Sequence, residues 1–359
     1  MDTVWPRPAR RGMPTQRRRI HMNVTATLAR STPQPAPHAL HGEDVIWQET
    51  NCYIDLWIEL LNGWGLEPRA ALPFTVTQDF EGDHFTFFKY PTNDIERLYG
   101  TVVQEMALYD ALEAHLVEQV GRGHTVLVEV DSYYLPDTKA TSYRQKHVKT
   151  SIGVDMIDAQ ARRLGYYHGL GYHTVNGDDY EGLLRLTPEL SGNPDLLFPY
   201  AECAKRVRAP VAPGMLADAS VRLLREHLAR RPAANPVSRL RAVFPSHMER
   251  MLARGDAYFH QYTFNVPRQL GANFEMLHHY LTWLARQGHK VPEPVVDAAH
   301  SIATEAKVLQ FRLARAVARG RQDPCTDCLD VLESAYDRTL SGLVATFGAA
   351  GPVHVHAGV

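Results

Sequence analysis

The feature that most constrains this chain is a change of period near residue 185. Before it, short segments alternate with a period of two; after it, long segments repeat with a helical period. Residues 125–131 set Val126, Val128 and Val130 against Thr125, Leu127 and Glu129. Residues 147–154 place Val148, Thr150, Ile152 and Val154 on one parity, and 163–168 and 171–175 read as further strands before an Asn176-Gly177 turn. Residues 212–230, 236–254, 268–287, 292–320 and 325–347 then read as helices punctuated by Pro and Gly. The pattern predicts an α+β domain over 43–185, with an antiparallel sheet, and an all-helical domain over 186–350.

Ahead of the strands, residues 50–62 read as a helix. Ile54, Trp57, Ile58 and Leu61 make one buried stripe, with Thr50 or Asn51 as N-cap and Asp55 in the first turn. Residues 84–90 read as a strand. Thr92-Asn93-Asp94 caps a short helix, and a longer one is expected over 101–120. Residues 1–42 carry a cluster of arginines and a Pro-rich stretch, and are expected to be disordered. No apolar run follows those arginines, so they do not read as a secretory signal, and Met13 and Met22 are alternative starts.

A formal net charge of −2 gives no reason to expect a nucleic-acid or anionic-membrane partner. No apolar stretch is long enough to span a bilayer. The four cysteines, Cys52, Cys203, Cys325 and Cys328, are too sparse for a disulfide framework. A cytoplasmic protein is expected.

Cys52 carries the chemical argument. A cysteine nucleophile works as thiolate, which a helix N-terminus, a nearby imidazole and partial exposure all favour. Cys52 falls at the first position of the predicted helix. His147 opens a sheet strand and is the candidate base, with His168 or Asp131 as its orienting partner; a neutral His168 would stabilise an imidazolium less than a carboxylate would. Gln48 or Asn51 is expected to complete an oxyanion hole with the Cys52 N–H. Tyr133, Tyr134 and Tyr167 lie beside these positions and are candidate substrate contacts.

In the helical half, Arg268, Gln269 and Glu275 are further candidate substrate contacts. Arg268 follows Pro267 in a first helical turn, where a cation is disfavoured, and Glu275 shares its face. Cys325-Thr326-Asp327-Cys328 has no second pair at zinc-finger spacing and reads as structural. His278-His279 has no matching carboxylate motif. No metal site is expected. The chain has no phosphate loop, GxSxG elbow or HExxH helix, which argues against a nucleotide-dependent step or a zinc hydrolase.

The stretch Val126–Pro136 followed by His147–Gly153, with Cys52 upstream, resembles the N-terminal domain of the butirosin biosynthesis H-type acyltransferases over roughly residues 45–185. That resemblance implies a papain-like fold. It also implies transfer of an aminoacyl group from a carrier-protein phosphopantetheine thioester, through Cys52, to an amine, with no cofactor resident on this chain. The expected residue at the third catalytic position is Asp or Asn, and Tyr166-Tyr167-His168 departs from it. The whole chain also resembles an uncharacterised bacterial family, through Tyr166-Tyr167-His168, Gly171-Tyr172, Gly177-Asp178-Asp179-Tyr180, Arg268-Gln269-Leu270-Gly271, Phe274-Glu275 and Trp283. Its members are associated with amino acid:carrier protein ligases, so an aminoacylated carrier protein is the implied partner. A peptidase, amidase or thioesterase of the same fold, or a non-catalytic carrier-binding module, are the alternatives.

Overall fold

The structure, a computed structural model, describes residues 36–193 and 195–348. Most of the expected disordered arm lies outside them. Its last residues do not behave as an arm: Ala39–His41 form a 3-10 turn, and Leu40 and His41 are buried. Folded structure therefore begins ahead of residue 43.

Helix α1, Cys52–Gly63, starts where Asn51 leaves the extended conformation and accepts the Tyr53 and Ile54 N–H groups on its side chain. A long 3-10 stretch, Pro68–Thr77, leads to α2, Thr92–Tyr99. The strand expected over 84–90 does not form. Its backbone bonds run to loop and side-chain atoms: Thr86 N–H donates to Asp79 O, and Phe88 O accepts from Asn51. The helix expected over 101–120 divides into β1, Thr101–Glu105, and α3, Leu112–Gly121. Strands β2, Thr125–Asp131, β3, Lys149–Asp158, β4, Arg163–His168, and β5, Gly171–Asn176, follow, then α4, Gly177–Leu183.

A sixth strand, β6, Ala201–Arg206, has Ala, Glu and Lys where strands prefer branched or aromatic residues. It forms because it is flanked on both sides. The antiparallel sheet runs β1-β6-β2-β3-β4-β5, with Cys203 opposite both Gln104 and Val126. This interior strand carries the α+β region past residue 185, to Arg206.

Helices α5, Pro213–Ala229, α6, Pro236–Arg254, α7, Asp256–Asn265, α8, Pro267–Arg286, α9, Glu293–Arg319, and α10, Thr326–Phe347, make the all-helical remainder. The unexpected α7 is set off from α6 by Gly255 at φ 72°. No helix of the described residues is long and apolar enough to cross a membrane.

The sheet separates two cores. Val126, Val128, Val130, Ile152, Val154, Leu164 and Tyr166 pack with α3 and α4. Leu127 and Tyr167 point the other way, into a core shared by α1 and the helical region. Gly153 lies under α1, where a Cβ would sit 2.5 Å from Leu56 Cδ1, so only glycine lets the helix approach.

Candidate active site

Strand parity decides what can meet Cys52. Odd-numbered residues of β2, and of β3 as far as Gly153, face α1, and even-numbered ones face α3; past the register shift between Val154 and Met156 the order reverses, and Ile157 joins the α3 core. Cys52, half-buried in the first turn of α1, places Sγ 3.7 Å from Ser151 Oγ on β3. The thiol opens onto a cleft of about 320 Å³, walled by Tyr53, Phe87, Tyr200 and Leu127 and by two ion pairs. Lys89 Nζ is 3.2 Å from Glu202 Oε1, and Lys149 Nζ is 2.5 Å from Glu129 Oε1. Glu202 is buried, and accepts from the hydroxyls of Tyr53 at 2.6 Å and Tyr200 at 2.7 Å.

His147 does not open a strand as expected: it lies two residues ahead of β3, with its side chain largely exposed. Its Nδ1 is 2.5 Å from Asp131 Oδ2, and its ring stacks on Tyr133 with centroids 4.4 Å apart and planes 17° off parallel. Asp131 also accepts the Tyr133 N–H, so one carboxylate fixes both the imidazole and the residue stacked on it. Of the two orienting candidates, Asp131 is the one the fold brings to His147. No hydrogen bond joins His147 to Cys52. His147 precedes Ser151 by four positions, roughly 13 Å of extended chain, and Lys149 stands between them.

His168 lies on the opposite face of the sheet, as its even register with Thr150 requires. Its Nδ1 is 2.5 Å from Asp137 Oδ2 and its Nε2 2.8 Å from Thr150 Oγ1. Burial works to raise the Asp137 carboxyl, but its bond and charge contact with His168, helped by the Tyr166 hydroxyl, hold it below the ordinary range. The cluster ties the 136–138 turn to β4. It cannot orient His147, because the sheet lies between them.

The side-chain amides expected at an oxyanion hole are engaged elsewhere. Gln48 donates to Gly42 O, and Asn51 donates to Phe88 O while capping α1. Tyr134 packs against Gly182 and Tyr133. Tyr167 is buried below α1 beside Gly63 and Tyr172.

Of the three candidates on α8, Glu275 and Gln269 serve the junction between the two regions, and Arg268 packs within the helical one. Glu275 accepts the Ile46 and Trp47 N–H groups at 2.7 and 2.6 Å, and its burial pushes its carboxyl above the usual range. Gln269 gives its backbone carbonyl to Gln78, and the Arg268 guanidinium lies 5.1 Å from the Phe264 ring centroid. Trp47 donates to Ala303 O and carries Lys307 over its ring at 3.5 Å. The segment leading into Cys52 is thus held by the helical region.

A second buried network braces α1 from within. His41 Nδ1 is 2.6 Å from Glu59 Oε1, and its Nε2 is 3.5 Å from Asp55 Oδ1. Asp55 accepts both the N–H and the hydroxyl of Thr50.

Cys325 and Cys328 are both buried, and burial pushes their thiols up to about 12 and about 11. His278 stacks near His300 at 4.8 Å. Among the described residues, no group of three or more His, Cys, Asp or Glu is disposed to hold a metal.

Sequence reasoning missed most of the cleft wall. Ser151, Glu129 and Lys149 were accessible through the odd parity they share with Leu127. Lys89, Tyr200 and Glu202 were not, because they come from an irregular segment and from the edge and body of an unanticipated strand.

Residues 36–206 match the DUF1839 N-terminal domain and residues 214–345 the DUF1839 C-terminal domain, and the first match ends where β6 ends. No curated protein matches the chain, so the resemblance to the butirosin acyltransferases stays an expectation.

Proposed function

The chain belongs to the DUF1839 family, carrying both of its domains in order, and from that premise we propose that it is a cysteine acyltransferase of papain-like design. The observation that carries this reading is the half-exposed Cys52 thiol at the N-terminus of α1, opening onto a walled cleft. The thiol stands in the first helical turn, with its Sγ 3.7 Å from the Ser151 hydroxyl oxygen.

In the proposed reaction, the Cys52 thiolate attacks the carbonyl carbon of a phosphopantetheine thioester presented by a carrier protein. A new C–S bond forms, the old one breaks, and the pantetheine sulfur leaves and takes up a proton. An amine then attacks the acyl-Cys52 carbon, the Cys52 thiolate departs, and the proton released from the amine passes through water to His147. Asp131 holds the imidazole with Nδ1 inward, leaving Nε2 as the basic nitrogen. The separation of His147 from the thiol leaves that proton transfer to water in the cleft. It suits thioester exchange better than amide cleavage, because a thiolate is a good leaving group and an amine is not.

That separation equally favours a second reading, a carrier-binding module without catalysis. Intact mass spectrometry after incubation with an acyl-pantetheine thioester separates the two. Acyltransfer predicts an adduct on the wild type and none on Cys52→Ala; an adduct persisting on Cys52→Ala, or absent from both, sinks it. Release of free acid without any amide product would identify a hydrolase.

A further inference from the structure

We infer that Tyr53, Tyr200 and Glu202 form a binding cage for a protonated amine, and that Lys89 is its resident stand-in. The Lys89 ammonium sits 4.0 Å from the Tyr53 ring centroid, 5.6 Å from that of Tyr200 and 3.2 Å from Glu202 Oε1. Two electron-rich ring faces and a carboxylate are the elements that recognise an organic cation. The two tyrosine hydroxyls hold opposite oxygens of Glu202, which fixes the carboxylate plane.

The cage walls are rigid and the occupant is not. Tyr53 stands on the first turn of α1, next to Cys52, and Glu202 on an interior strand where it is 5% exposed. Lys89 comes from an irregular segment, its side chain is 37% exposed, and its flexible stem can swing outward. A buried carboxylate is costly without a cation, so the site requires one at all times. A ligand ammonium that displaced Lys89 would keep that balance while placing its own carbon chain along Leu127 and Phe87, toward the thiol. The ligand class is a primary alkylammonium on a short chain. That the amine belongs to a substrate rests on the acyl-transfer reading; the cage itself does not.

The test is calorimetric titration of n-butylammonium and, as neutral control, butan-1-ol into the full chain carrying Cys52→Ala, with and without Lys89→Ala. Vacating the cage should tighten butylammonium binding by about ten-fold and leave butan-1-ol unchanged. Adding Glu202→Gln should abolish the gain; Tyr53→Phe, which keeps the packing, should weaken it should Glu202→Gln fail to fold. Equal butylammonium affinity with Lys89 and with Ala at that position overturns the inference, as does a gain that survives loss of the carboxylate.

Two sources of amine are told apart on the Cys52-containing protein. A cage for the acyl donor makes an α-aminoacyl thioester load Cys52 faster than its des-amino analogue. A cage for the acceptor leaves loading equal and slows aminolysis in Glu202→Gln. Butylammonium binding with no loading of Cys52 by any thioester would sink acyl transfer and leave the cage standing.

Discussion

Raising the pH through the range of one buried histidine should loosen the support beneath Cys52. His41 is 5% exposed and lies between Asp55 and Glu59, both on α1. Burial is the largest single influence and opposes its charge. The hydrogen bonds to Asp55 and Glu59, with their charges, together outweigh it and lift the imidazole to about 9 from its usual 6.5. A group whose affinity for a proton rises on folding stabilises the fold when protonated. That stabilisation is complete below about pH 6.5 and is lost as pH climbs through about 9. The rise corresponds to about 3 kcal/mol if His41 alone carries it, and less if the two carboxylates share the titration. Urea unfolding of the wild type and of His41→Asn, compared between pH 6 and 10, should show their difference shrinking by that amount. The imidazole NMR signal offers a route that needs no variant, since its midpoint should lie far above that of an exposed histidine. A midpoint at or below the ordinary value, or a difference flat across the range, refutes the reasoning.

The junction at Glu275 invites a second test: Glu275→Ala leaves the buried Trp47 N–H and the part-buried Ile46 N–H unpaired and should cost about 2–4 kcal/mol in denaturant unfolding. Because burial raises this carboxyl, its ionised form opposes folding, so wild-type stability relative to Glu275→Gln should improve as pH falls from neutral toward the ordinary glutamate range. Gly271→Ala would bring a Cβ to within 2.5 Å of the Trp47 indole nitrogen, and overpacking of about 1–3 kcal/mol should appear as a lowered Tm. Asp131→Asn should slow amine-dependent release of an acyl group from Cys52 while leaving iodoacetamide alkylation of the thiol unchanged. Equal slowing of both would place His147 at the thiol after all.

Five of the six helices described in the helical half were readable to within a residue or so at each end, because Pro and Gly punctuate long runs of one period; α7 was not. Strands β2 to β5 were readable for the same local reason. What escaped was fixed at long range. The segment 201–206 has little strand preference of its own and becomes one because β1 and β2 supply partners on both sides. The helix expected over 101–120 loses its N-terminal half, with Thr101–Glu105 drawn into that same pairing and helix starting only at Leu112. At the site, the N-terminal position of Cys52 was visible from its cap and its apolar stripe. The choice between Asp131 and His168 turned on a period of two: Asp131 shares odd parity with His147, and His168 pairs across to Thr150 on the reverse side. Glu275 was expected at a ligand because it shares a helical face with Arg268, a cation in an unfavourable first turn; its partners are main-chain amides from far upstream, and main-chain partners carry no signature in composition.

Trp47, Glu275 and the shared core beneath α1 make the two matched domains poor candidates for exchange as cassettes. A fragment ending at Arg206 would keep its sheet but uncover the apolar underside of α1 and leave Ile46 and Trp47 without their acceptor. The join between the sheet region and the helical one is a weld, placed five residues ahead of the thiol. Natural variation in the helical half is therefore expected to reach Cys52 through the backbone that leads into it, without any residue of that half entering the cleft.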